Sequence, residues 1–74
     1  MLTINQKTEE ITGILKMTTS VTTDGRHFVV DFVCFEPKMS IQRTFVNTLL
    51  GREAMELFKK SIKNERDLLI AVEF

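Results

Sequence analysis

Residues 26–36 read RHFVVDFVCFE and hold three of the six phenylalanines in a chain that contains no Trp or Tyr. With the two-residue period of a β-strand, one face of this stretch is apolar throughout and comprises Phe28, Val30, Phe32 and Cys34. The opposite face is mixed and comprises His27, Val29, Asp31, Val33 and Phe35. An apolar face beside a mixed one is typical of a strand with one side on the core. The stretch therefore predicts a strand near the middle of a small sheet.

Length and composition limit what this chain can be. Its 74 residues suffice for a single domain over residues 1–74, in which only about 60% of the unfolded chain's surface is buried. Ten basic residues balance ten acidic ones and alternate with them, so no polybasic run predicts non-specific binding to phosphate or lipid. There is no leader-like segment, and no apolar run approaches the roughly 20 residues that span a bilayer. We expect a soluble cytoplasmic protein that does not enter the membrane.

The residues before the central strand continue the alternating pattern. Residues 11–22 predict a long strand in which Gly13 permits a sharp bend or acts as a spacer. Asp24 and Gly25 then provide the preferred chemistry of a tight hairpin, so this strand and the central one should pair antiparallel. Residues 2–5 alternate briefly and suggest a short edge strand.

The residues after the central strand predict a turn, a strand, a helix and a final strand. Pro37 breaks the ladder. Residues 40–49 fit a strand by their β-branched residues, although an apolar residue every fourth position would also fit a long helix containing Gly51. Gly51 is better explained as a break. A period of 3.6 predicts a helix over residues 52–64, with Ala54, Leu57, Phe58 and Ile62 in one apolar stripe. Residues 68–74 are apolar on both faces, as in a covered strand.

The sequence thus predicts a mainly β, α+β fold, either a small antiparallel curved sheet or an incomplete barrel with one helix, in the order β-β-β-α-β. With ITGIL at 11–15, TFVNTL at 44–49 and LLIAVE at 68–73, that order resembles the oligonucleotide-binding fold of bacterial and phage single-stranded DNA-binding proteins. The resemblance implies binding to single-stranded nucleic acid. The family's fifth strand has no counterpart, so we expect residues 2–5 or a second copy to complete the sheet.

Catalysis is not expected from these residues. His27 and Cys34 would point to opposite faces of one strand and stand about 23 Å apart, too far for a nucleophile and its base. One cysteine and one histidine can form neither an internal disulfide nor a zinc site. No paired carboxylates or glycine-rich loop indicate acid–base chemistry or phosphate binding. We therefore predict no enzyme, metal or cofactor.

Two functions remain open. Single-stranded DNA, or RNA, would bind through aromatic rings on which bases stack, with cations beside them. The candidate residues for this surface are Lys16, Arg26, Phe35, Lys38, Arg43 and Phe45. Two rings and four cations bind weakly, which predicts a homo-oligomer. The alternative is a small protein-binding accessory or inhibitor module of a phage or mobile element, acting through a sheet edge or the helix.

Overall fold

The computed structural model describes residues 3–73, with side chains for residues 6–72. Four strands precede two helices: β1 (Thr3–Thr12), β2 (Leu15–Thr22), β3 (His27–Phe35), β4 (Lys38–Val46), α1 (Leu49–Ser61) and α2 (Glu65–Glu73). The strands form one antiparallel sheet in the order β1-β2-β3-β4. Both helices contribute to the core on one face of this sheet, and the described chain is an open meander rather than a barrel.

The central strand is where the alternation predicts it. Val30, Phe32 and Cys34 are fully buried on the helix-bearing face of β3. Phe32 lies between Met17 of β2 and Ile41 of β4 in the register. The helices complete the core with Met55, Ile62 and Leu68.

The predicted order β-β-β-α-β is wrong at both ends of the chain. Residues 11–22 do not form one bent strand, because Thr12 pairs with Leu15 across a two-residue turn at Gly13 and Ile14. Gly13 thus belongs to a hairpin, and the suggested short N-terminal strand is the start of the ten-residue β1. Leu2 of that prediction lies outside the described residues.

The predicted last strand is a helix, α2. Its N-terminus is capped, since the Asn64 side chain accepts a hydrogen bond from the Asp67 N–H (2.9 Å) and the Asp67 carboxylate accepts one from the Lys63 N–H (3.0 Å). Leu68 is fully buried, whereas Leu69 is 46% exposed. Residues 68–72 do not form a strand that is covered on both faces. They form a helix, which buries some of these apolar side chains and exposes others. Phe74 lies outside the described residues.

The first helix begins three residues earlier than predicted. The Thr48 hydroxyl caps it by accepting a hydrogen bond from the Gly51 N–H (3.0 Å), so Gly51 lies in the first turn and is not a break. Met55, Phe58 and Ile62 face the sheet. Leu57, which the 3.6-residue period assigned to the same stripe, is exposed.

The two hairpins that flank β3 are confirmed. Gly25 has a φ of 70° and donates its N–H to the Thr22 carbonyl (2.8 Å). Glu36 and Pro37 form the β3–β4 turn, with a cis peptide bond between them. Residues 40–46 are extended in β4, as their β-branched residues indicated.

Candidate functional site

The six residues predicted to bind nucleic acid do not share one surface. Phe35, Lys16 and Lys38 lie near the β3–β4 turn on the helix-free face of the sheet. Arg43 and Phe45 occupy the helix-bearing face, where they contact Phe58. The six residues therefore cannot act together as one binding surface.

Arg26 lies in the β2–β3 loop, at the opposite end of β3 from Phe35. Nine residues of strand at about 3.3 Å each separate them by roughly 30 Å. The Arg26 carbonyl accepts a hydrogen bond from the Asn47 N–H (2.7 Å), so its backbone anchors the β4–α1 connection. Its exposed side chain is too distant to act together with Phe35.

Phe35 and two lysines form the remaining aromatic and basic cluster. The Phe35 ring is 55% exposed. Lys16 Nζ lies 5.4 Å from its centroid, within the range of a cation–π contact. Lys38 is the direct cross-strand partner of Phe35. We call these three residues the Phe35 cluster, which presents one ring and two cations.

Arg43 and Phe45 instead join the packing of α1 on the sheet. The Arg43 guanidinium carbon lies 5.2 Å from the Phe58 centroid, and the Phe45 and Phe58 centroids are 5.8 Å apart. Phe58 meets the buried Phe32 ring edge-on at 5.4 Å. Phe45 therefore lies at the margin of the core, where base stacking would have to displace Phe58.

Among residues 6–72, the most exposed large apolar side chains lie on α1. Leu49, Leu50 and Leu57 are 74%, 77% and 70% exposed. Leu50 and Leu57 are two helical turns apart and lie on the side of α1 that faces away from Met55 and the sheet. We define the outer face of α1 as the exposed residues Leu50, Glu53, Leu57, Lys60 and Ser61.

Apart from Arg52, which bonds to Asn47 Oδ1 and lies over the Phe28 ring, the charges of α1 are ordered along the helix axis. Glu53 and Glu56 precede Lys59 and Lys60. Lys59 turns toward the sheet, with its side chain 19% exposed and its Nζ 3.9 Å from Glu56 Oε1. Lys60 remains exposed on the outer face. The outer face therefore has an acidic end near Leu50 and a basic end near Ser61.

A depression of about 190 Å³ continues the outer face toward α2. Its lining comprises Ser61, Ile62, Asp67, Ile70 and Ala71. Ile70 is 47% exposed. For scale, an apolar cavity of about 150 Å³ accepts benzene. The depression is therefore large enough for one aliphatic side chain.

No family model, no curated protein and no solved structure matches the chain. Within residues 3–73, neither helix is both long and apolar enough to cross a membrane.

Among the described residues, no three His, Cys, Asp or Glu side chains are grouped so that they could hold a metal ion. Cys34 is fully buried in the core. Burial raises the pKa of the Asp31 carboxyl on the helix-free face, and none of the described residues donates it a hydrogen bond. A single carboxylate is not an acid–base pair.

The sequence pattern missed the outer face of α1. A helix predicted to start at residue 52 does not include Leu50. The single apolar stripe predicted for that helix places Leu57 in the core. The missed signal is Thr48, a preferred N-cap residue directly before two leucines. A helix that begins at Leu49 has more apolar residues than one face can bury.

Proposed function

We propose that this chain is a non-catalytic protein-binding module whose contact surface is the outer face of α1. The observation that supports this proposal is the exposure of Leu50 and Leu57, at 77% and 70%, on one side of one helix. Exposed apolar groups that share a face, with polar residues around them, are typical of protein interaction sites.

The fold does not need these leucines to hold α1 in place. Met55, Phe58 and Ile62 already pack against the sheet. Covering a leucine side chain contributes about 1.5–3 kcal/mol when it was fully exposed, so a partner that covers both would gain substantially. Glu53 and Lys60 on the same face add charge selectivity rather than binding energy.

The test uses two doubly substituted chains that carry the same added charge. Leu50→Lys/Leu57→Lys alters the outer face, and Ser40→Lys/Thr44→Lys alters exposed positions on the helix-free face of β4. The wild type and both variants are immobilised, and each is incubated with an extract of the cells that produce the protein to compare what it captures. The self-association of each chain is measured separately by sedimentation. We expect only Leu50→Lys/Leu57→Lys to lose affinity for its partner, by about ten-fold or more, which corresponds to 1.4 kcal/mol. If all three chains associate equally, and cooperative unfolding shows that each is folded, the proposal is rejected.

Binding of single-stranded nucleic acid through the Phe35 cluster is the second candidate function. It is supported by the Lys16 ammonium over the exposed Phe35 ring, since stacking with an adjacent cation is how such proteins hold bases. One ring contributes about 1–3 kcal/mol per stacked base, which predicts weak binding.

Titration of labelled oligo-dT and oligo-U at two salt concentrations tests this candidate. Lys16→Gln should weaken binding and flatten its salt dependence, whereas Lys60→Gln, with the same loss of charge on α1, should not. Absence of binding at micromolar protein in low salt rules the candidate out.

A further inference from the structure

We propose that the partner of the outer face of α1 is a second copy of this chain, whose α1 packs antiparallel to the first about a two-fold axis beside Leu57. This inference rests on the proposed function, because it names the occupant of the same face. A two-fold axis brings identical surfaces together, so each contact occurs twice.

The order of charges selects the antiparallel arrangement. When two Leu57 side chains meet at the axis, Glu53 of one copy lies opposite Lys60 of the other, because these residues are four before and three after the axis. Both are exposed and free to reorient. A parallel pair would instead place Glu53 beside Glu53 and Lys60 beside Lys60, which is unfavourable.

The same register gives Leu50 a place to bind. Leu50 lies seven residues before Leu57, or about 10 Å along the axis at 1.5 Å per residue. An equal distance on the partner passes Ser61, where α1 ends. The depression of about 190 Å³ between α1 and α2 begins there, with Ile70 at its side. Leu50 of each copy therefore enters the depression of the other.

The net charge of the chain permits association between copies, and the size of the contact limits its strength. The formal net charge is +0, so two copies do not repel one another at long range. Because the contact involves one face of a 13-residue helix, we expect the area that each partner buries to be smaller than the roughly 800 Å² of a standard interface. We therefore expect a reversible dimer whose population depends on protein concentration.

Single cysteines test the axis directly, since the native Cys34 is fully buried. Leu57→Cys places two thiols at the axis and should form an interchain disulfide under mild oxidation. Leu50→Cys is the matched control, because the two Leu50 positions lie about 20 Å apart in this register. Disulfides require Cα atoms about 4.4–6.8 Å apart, so this variant should cross-link about ten-fold more slowly or not at all.

Charge reversal tests the register independently. Glu53→Lys and Lys60→Glu should each shift sedimentation toward monomer, and the double variant should restore the dimer. Equal cross-linking of the two cysteine variants would establish a parallel pair and reject the antiparallel one. A chain that stays monomeric and never cross-links rejects the second copy altogether. The proposed function survives that result if Leu50→Lys/Leu57→Lys still loses other proteins that the wild type captures.

Discussion

Gly51 packs so closely against Val46 that a Cβ atom on the glycine would overlap the Val46 carbonyl oxygen. That oxygen also accepts a hydrogen bond from the Thr48 N–H (2.8 Å), which tightens the passage from β4 into α1. Glycine normally costs about 1 kcal/mol relative to alanine inside a helix. Its presence in the first turn of α1 is explained by this close approach.

Gly51→Ala should lower the free energy of unfolding by about 1–3 kcal/mol, because the added methyl group forces the β4–α1 connection apart. Urea denaturation measures the change. Gly13→Ala is the control, since a Cβ there meets no atom within 4 Å, and it should change stability by less than about 0.5 kcal/mol. Equal stability of Gly51→Ala and wild type would contradict the close approach.

Asn47→Ala should destabilise the protein by about 1–2 kcal/mol, because its amide joins two parts of the chain. Its Nδ2 donates to the Gly25 carbonyl (2.9 Å) and its Oδ1 accepts from Arg52 Nε (3.1 Å). Thermal unfolding measures the loss. Gln42→Ala, which removes an exposed amide from β4, should have little effect. A similar loss in both variants would show that the bridge does not matter.

Leu68→Ala should cost about 2–5 kcal/mol, whereas Leu69→Ala should cost far less, because Leu68 is fully buried and Leu69 is 46% exposed. The pair removes the same atoms from adjacent residues, and urea denaturation compares them. Equal large losses would indicate a segment covered on both faces, as a strand would be, and would argue against α2.

Asp31→Asn should make the protein more stable at neutral pH and remove part of its pH dependence. Burial raises the pKa of Asp31 above its ordinary value of 3.8, so the folded state binds the proton more tightly than the unfolded state. Wild-type stability from this group is therefore greatest below pH 3.8 and falls as pH rises through the folded pKa. Stability measured across this range in both proteins checks the sign.

Asp24→Asn is the contrasting control for the pH experiment. The Thr22 hydroxyl and the Arg26 N–H donate to the Asp24 carboxylate and lower its pKa from 3.8. The stability that this group contributes is present above pH 3.8 and is lost as pH falls through the folded pKa. Asp24→Asn should therefore flatten the acid side of the profile, while Asp31→Asn flattens the region above it. Identical profiles for the two variants would refute both assignments.

The sheet was predictable where alternation and turn chemistry agree. The apolar face of β3 and the Asp24–Gly25 hairpin are both local patterns, and both are present. The helical end was misassigned because an apolar run such as residues 68–72 has no period that separates strand from helix. The deciding information lies upstream, in Asn64 and Asp67, whose side chains cap α2.

The predicted nucleic-acid-binding surface depended on the length of the β3–β4 turn, which the sequence pattern did not reveal. Two turn residues place Phe35 opposite Lys38, and the same register places Phe28 opposite Phe45. Phe45 must then share the helix-bearing face with Phe28. A turn one residue longer or shorter would have placed Phe45 on the face of Phe35.

The meander has a consequence for how the chain is made. Because β2, β3 and β4 each pair with the strand synthesised just before them, the sheet can assemble stepwise from nearby segments, as is typical of rapidly folding topologies. The helices that cover its apolar face come last, at residues 49–73. During translation, Phe32 and its neighbours therefore stay uncovered until residues 49–73 have emerged, and that interval is when the nascent protein is most prone to aggregate.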